Sequence, residues 1–127
     1  MRKTAITLGV VLLVSMMICT ASLLTVQKSM DHIDDLRVKS YQQAASGDAK
    51  GAMETLVTIA SHWEKALPLL EVLSSHDDMH DVSKAIIDAQ ICLEFGEMDD
   101  CCRTLRLMGE TLEHIRNMEA MRMSNLY

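Results

Sequence analysis

The sequence predicts an all-α protein, and three observations carry that prediction. Apolar residues recur at three- and four-residue steps along most of the chain, no stretch alternates with a period of two, and turn residues fall in a few short clusters. The architecture expected is an N-terminal transmembrane helix followed by a small antiparallel array of helical hairpins, or by a four-helix bundle.

The anchor is read from Thr4–Val26, TAITLGVVLLVSMMICTASLLTV, 23 residues without a charge. At the helical rise this run reaches ~35 Å, against a hydrocarbon core of ~30 Å. Arg2 and Lys3 precede it, so residues 1–3 form a short basic cap that would also suit the start of a signal peptide. Cys19-Thr20-Ala21 offers small residues for cleavage, which would leave a secreted domain. The apolar run nevertheless continues through Leu23, Leu24 and Val26 without a helix breaker, and that length favours a retained anchor. A lipoprotein is excluded because Ile18, not a small residue, precedes Cys19. Arg2, Lys3 and the amino terminus lie on one side of the run, whereas Lys28 on the other stands among Asp31, Asp34 and Asp35. The positive-inside rule therefore places the N-terminus in the cytoplasm and residues 27–127 outside it, in a single-pass cell-membrane topology. The reverse orientation would put an acidic domain in the cytosol.

Arg2 and Lys3 account for two of the 12 Lys and Arg; the remaining ten face all 18 Asp and Glu, so the domain carries a charge near −8. Such a surface repels phosphate backbones and anionic headgroups, which argues against nucleic acid and against peripheral lipid binding. One Trp, one Phe and two Tyr are too few for a base-stacking or carbohydrate platform. The 11 Met include several on core stripes, where Met fills irregular gaps.

The first helix is expected to continue past the anchor from Gln27 to Ala45, with Met30, Ile33, Leu36 and Tyr41 inward. Ser46-Gly47-Asp48 ends it, Gly47 suiting a left-handed closing position and Asp48 the next N-cap. A second helix, Ala49–Leu73, carries the seam Ala52, Leu56, Ile59, Trp63, Ala66, Leu70 and Leu73. Pro68 removes the bond to the Glu64 carbonyl, so a kink or a division into two helices is expected there. Ser75 opens the third helix as a capping-box candidate with Asp78, and the seam Met79, Val82, Ile86, Ala89 and Leu93 runs to Gly96. The fourth begins near Met98, with Asp99 and Asp100 at the positive end of its dipole. It buries Cys101, Leu105, Met108, Leu112 and Ile115 and is expected to extend to Met121 before fraying at Ser124-Asn125. A shift of 49 residues lays GDAKGAMETLVTIASHWE from Gly47 on GEMDDCCRTLRLMGETLE from Gly96. The reading is two hairpins, at about 27–73 and 75–123, stacked in a tetratricopeptide-like manner; a four-helix bundle of similar helices is the plainer alternative.

Several clusters invite chemistry. His76 and His80 lie four apart on one helix face, as a metal pair needs, with Asp77 or Asp81 as oxygen donors and Asp31, His32 and Asp34 near them under the 49-residue shift. Acids also crowd first helical turns for dipole reasons alone, and there is no HExxH, no CxxC and no third histidine at ligand spacing. Cys92 and Cys101 stand symmetrically about the Gly96 turn, close enough in an antiparallel hairpin for a disulfide, although burial as small hydrophobes is the simpler expectation. Trp63 lies on the second seam and reads as a core residue together with Leu56, Ile59, Leu70, Ile86, Leu105, Leu112 and Ile115. Glu113 and His114 are read as a solvated face that can pair with Arg116. No nucleophile–base pair and no cofactor motif is visible.

The second half, HDDMHDVSKAIIDAQICLEFGEMDDCCRTLRLMGETLEHI, closing on SNLY, resembles an uncharacterised bacterial family known as a domain of unknown function, found mostly in Gram-positive anaerobes and spore formers. The resemblance rests on Thr4–Val26, Trp63, His76-Asp77-Asp78 and Leu112-Glu113-His114-Ile115. It implies one N-terminal membrane segment and implies no activity. Cys101-Cys102 stands where that family has ordinary helix formers.

These observations predict a non-enzymatic, membrane-anchored interaction module that meets a protein partner at or in the membrane. Thr7, Ser15 and Ser22 give the anchor small faces for a partner span or a second copy of the chain. The alternative is a metal- or redox-responsive sensor using His76 and His80 or a Cys92–Cys101 bridge.

Overall fold

The computed structural model describes residues 1–73 and 76–126, and among their side chains all but those of Leu73, Glu119 and residues 122–126. These residues form four α-helices and no strand: α1 Arg2–Ala45, α2 Ala49–Leu73, α3 His76–Glu94 and α4 Met98–Leu126. The capping box expected at Ser75 lies outside the described residues.

Two turns are built alike. The Gly47 N–H donates to the Ala44 carbonyl (3.1 Å) and the Asp48 N–H to the Gln43 carbonyl (2.8 Å). Forty-nine residues on, the Gly96 N–H donates to Leu93 (3.2 Å) and the Glu97 N–H to Cys92 (2.8 Å). Both are Schellman closures, and both need a left-handed residue, Gly47 at φ 86° and Gly96 at φ 73°. Asp48 also caps α2, its Oδ1 accepting from the Gly51 N–H at 3.0 Å.

The shift of 49 residues carries over to packing. Met30, Ile33, Ser40 and Ala44 are buried on α1, and Met79, Val82, Ala89 and Leu93 on α3. Ala52, Leu56, Ile59, Trp63 and Ala66 on α2 are matched by Cys101, Leu105, Met108, Leu112 and Ile115 on α4. Two hairpins of one plan therefore supply one continuous core. Helix α1 packs on α2 and α4, and α3 packs on α4 and α2.

Three local expectations change. Pro68 does not divide α2, which runs unbroken through it. Pro68 and Glu64 are both exposed, so the missing helical bond falls on the solvent-facing side of α2, where its cost is smallest. Helix α4 does not fray at Ser124-Asn125 but continues to Leu126. On α1 the inward positions after Ile33 are Ser40 and Ala44, with Leu36 and Tyr41 only partly covered. Ser40 is tolerated there because its hydroxyl donates to the Ala52 carbonyl at 3.2 Å.

Candidate functional site

Helix α1 changes character along its length. Residues 1–19 are exposed throughout, including Ile6, Leu8, Val10, Val11, Leu12, Leu13, Met16, Met17 and Ile18, while Leu23, Val26, Met30 and Ile33 are buried. It is long and apolar enough to cross a membrane. Three of its threonine hydroxyls bond within the helix: Thr7 donates to the Lys3 carbonyl (2.7 Å), Thr20 to Met16 (2.9 Å) and Thr25 to Ala21 (2.8 Å). That pattern lets threonine sit in an apolar medium at little cost. The packed part of α1 begins at Leu23, ahead of the 26/27 boundary that the charge pattern marks. An apolar side chain serves a protein core as well as it serves lipid.

The expected metal set is not assembled. His76, Asp77 and His80 are exposed on α3, and among the described residues no three of His, Cys, Asp and Glu are grouped to hold a metal ion. Asp77 follows His76 by one residue and is turned ~100° away around the helix. Three of the neighbouring acids are engaged elsewhere. Asp78 lies 3.1 Å from Nδ1 of His114 on α4, and Asp31 accepts from Arg116 at 2.9 Å, with Asp34 3.5 Å from the same guanidinium. His32 instead meets His62 of α2, ring centroids 4.7 Å apart and planes nearly perpendicular. Sequence spacing gives no hint of that pair, because the two residues sit on different helices.

Another grouping was invisible to periodicity. Arg37 occupies the seam position between Ile33 and Ser40. Its Nε donates to Asp34 (2.8 Å), and its Nη1 donates to the Leu105 carbonyl of α4 (3.3 Å). The guanidinium lies over Gly109, where an added Cβ would come within 2.5 Å of Arg37 Cζ. The signal was present in the sequence as a lone glycine inside a helix, although it named no partner.

The four cysteines are unbridged. Cys101 is buried, and loss of water, helped by Cys102 and Cys92 nearby, pushes its thiol from 9.0 up to about 11. Burial also raises Cys92, with Glu97 and Asp100 adding to it, and burial and Asp99 raise Cys102. All three are therefore held as thiols at neutral pH, the opposite of what a thiolate nucleophile needs. Trp63 is a core residue, 3% exposed, and its Nε1 donates to the Ser83 hydroxyl at 2.8 Å. Leu56, Ile59, Leu70, Ile86, Leu105, Leu112 and Ile115 are buried with it.

Fold and surface together define a class: an all-α chain of two similar hairpins, entered by one long apolar helix. The chain belongs to the family described as domain of unknown function (DUF4363), whose model matches residues 20–126. That match starts inside the apolar run, close to Leu23, where α1 becomes packed. No curated protein and no solved structure matches the chain.

Proposed function

We propose that this chain is a membrane-anchored, non-enzymatic interaction module, a closed four-helix bundle held at the extracytoplasmic face by its own first helix. The cyclic packing of α1 on α2, α2 on α3, α3 on α4 and α4 on α1 supports a bundle over an open hairpin array. The anchor reading is supported by residues 1–19, a largely apolar surface with nothing packed on it. Because α1 is unbroken from Arg2 to Ala45, the domain follows the span with no linker between them. The reading of orientation rests on Arg2 and Lys3.

The observation that carries the interaction role is on α3. Ile87, Ile91 and Phe95 are 57%, 45% and 75% exposed at four-residue spacing. The Phe95 N–H still donates to the Ile91 carbonyl (3.1 Å), so all three belong to one helical line. An apolar line of this kind on an otherwise acidic surface suits a helix or groove of another protein. A photoreactive side chain at Ile91 should crosslink to one protein species in intact membranes, and Phe95→Asp should abolish that product. A chain that crosslinks equally from Glu54 would sink the proposal. For the topology, a membrane-impermeant thiol reagent should reach a cysteine placed at Ser46 in a chain otherwise lacking cysteine. Protection of that cysteine in intact cells would reverse the orientation, and recovery of the domain in the soluble fraction would favour signal cleavage.

A further inference from the structure

We propose that His32 and His62 form a two-histidine clip that takes a divalent transition-metal ion and ties α1 to α2. The pair comes from two helices, with ring centroids 4.7 Å apart. A metal–nitrogen bond of ~2.05 Å, added to ~1.15 Å from ring centre to nitrogen, puts a shared ion ~3.2 Å from each centroid. At the observed spacing those lengths correspond to an N–metal–N angle of ~95°, between octahedral and tetrahedral geometry. The rings now stand edge to face, so bringing both nitrogens onto one ion requires a turn of the exposed His32 ring.

Imidazole donors select zinc, nickel or copper over magnesium and calcium. No third protein ligand is grouped with the pair among the described residues, which leaves the remaining coordination positions to water or to an outside donor. Asp31 and Asp34 are held by Arg116, yet the domain around the pair is strongly acidic and concentrates cations at its surface. The site joins the helix that carries the apolar run to its hairpin partner. An ion there therefore resists separation of α1 from α2 and raises the stability of the packed state by mass action.

The test is calorimetric titration of the full, untagged chain in detergent micelles with zinc chloride and, separately, nickel chloride. Wild type should bind one ion, His76→Ala/His80→Ala should bind it unchanged, and His32→Ala and His62→Ala should each weaken it by at least about tenfold. His32 is exposed, so His32→Ala tests the clip even should His62→Ala fail to fold. A second readout uses Trp63, the single tryptophan and the neighbour of His62 in the chain. Copper(II) should quench its fluorescence in wild type and lose that effect in His32→Ala. No binding at millimolar metal, or binding that survives His32→Ala and vanishes in His76→Ala/His80→Ala, overturns the proposal.

Discussion

Replacing Gly109 by alanine should destabilise the wild-type chain and stabilise a chain that lacks Arg37. Glycine to alanine inside a helix ordinarily gains about 1 kcal/mol, because alanine loses less backbone freedom on folding. Here the new Cβ would meet Arg37 Cζ at 2.5 Å and its Nε and Nη1 at 2.8 Å, so the guanidinium must shift off the helix surface. The bond from Arg37 Nη1 to the Leu105 carbonyl is lost with it, and the Nε–Asp34 pair is disturbed at a site where both side chains are largely covered. A hydrogen bond from a charged group is worth about 1.5–3 kcal/mol. Taking the middle of that range against the propensity gain leaves a net loss of about 1 kcal/mol in wild type. In Arg37→Ala the obstruction is absent and the gain of about 1 kcal/mol should appear alone, a coupling of about 2 kcal/mol between the two positions. Urea unfolding of the full chain in micelles, followed by circular dichroism, measures all four corners of the cycle. If Gly109→Ala shifts stability by the same amount in both backgrounds, the glycine is not there for Arg37.

Three further outcomes follow from the geometry. Trp63→Phe should cost about 1 kcal/mol beyond its volume change, since Ser83 loses its donor, and adding Ser83→Ala should then cost almost nothing more; equal effects of Ser83→Ala in both backgrounds would refute the coupling. Leu23→Ala should lower domain stability by about 2 kcal/mol while Leu24→Ala, at a position 48% exposed, should leave the urea midpoint unchanged; the reverse order would return Leu23 to the uncovered apolar run. Between pH 9 and about 11 the unfolded state ionises at Cys101 while the folded state does not, so stability present below pH 9 should fall as pH rises, by at most ~1.4 kcal/mol per pH unit. Comparison of the pH slopes of wild type and Cys101→Ala isolates that contribution, and identical slopes would mean that the thiol is not shielded.

The seams on α2, α3 and α4 were legible because three- and four-residue spacing reports directly which face of a helix is apolar. The turns at Gly47 and Gly96 were legible because a left-handed closing residue has a strong chemical preference. Even the likeness of the two hairpins showed in the sequence, through the 49-residue shift. A candidate site was far less readable. His76 and His80 had the right spacing on one helix, but a metal site needs donors that converge, and convergence belongs to the packing of separate helices. His32 and His62, 30 positions apart, carry no pattern that links them.

What the sequence determined by itself was the helical class, the registers of three seams and the presence of one helix apolar enough to span a bilayer. Each of these follows from local chemistry repeated at a fixed period. Tertiary structure alone decided that Leu23 and Val26 serve the core while Ile6 to Ile18 remain uncovered, because hydrophobicity states a preference for leaving water and not a destination. It also decided that a charged residue, Arg37, completes the α1 seam. That placement depends on the bare backbone at Gly109 and a carbonyl at Leu105, both supplied by α4, and no period within α1 encodes them.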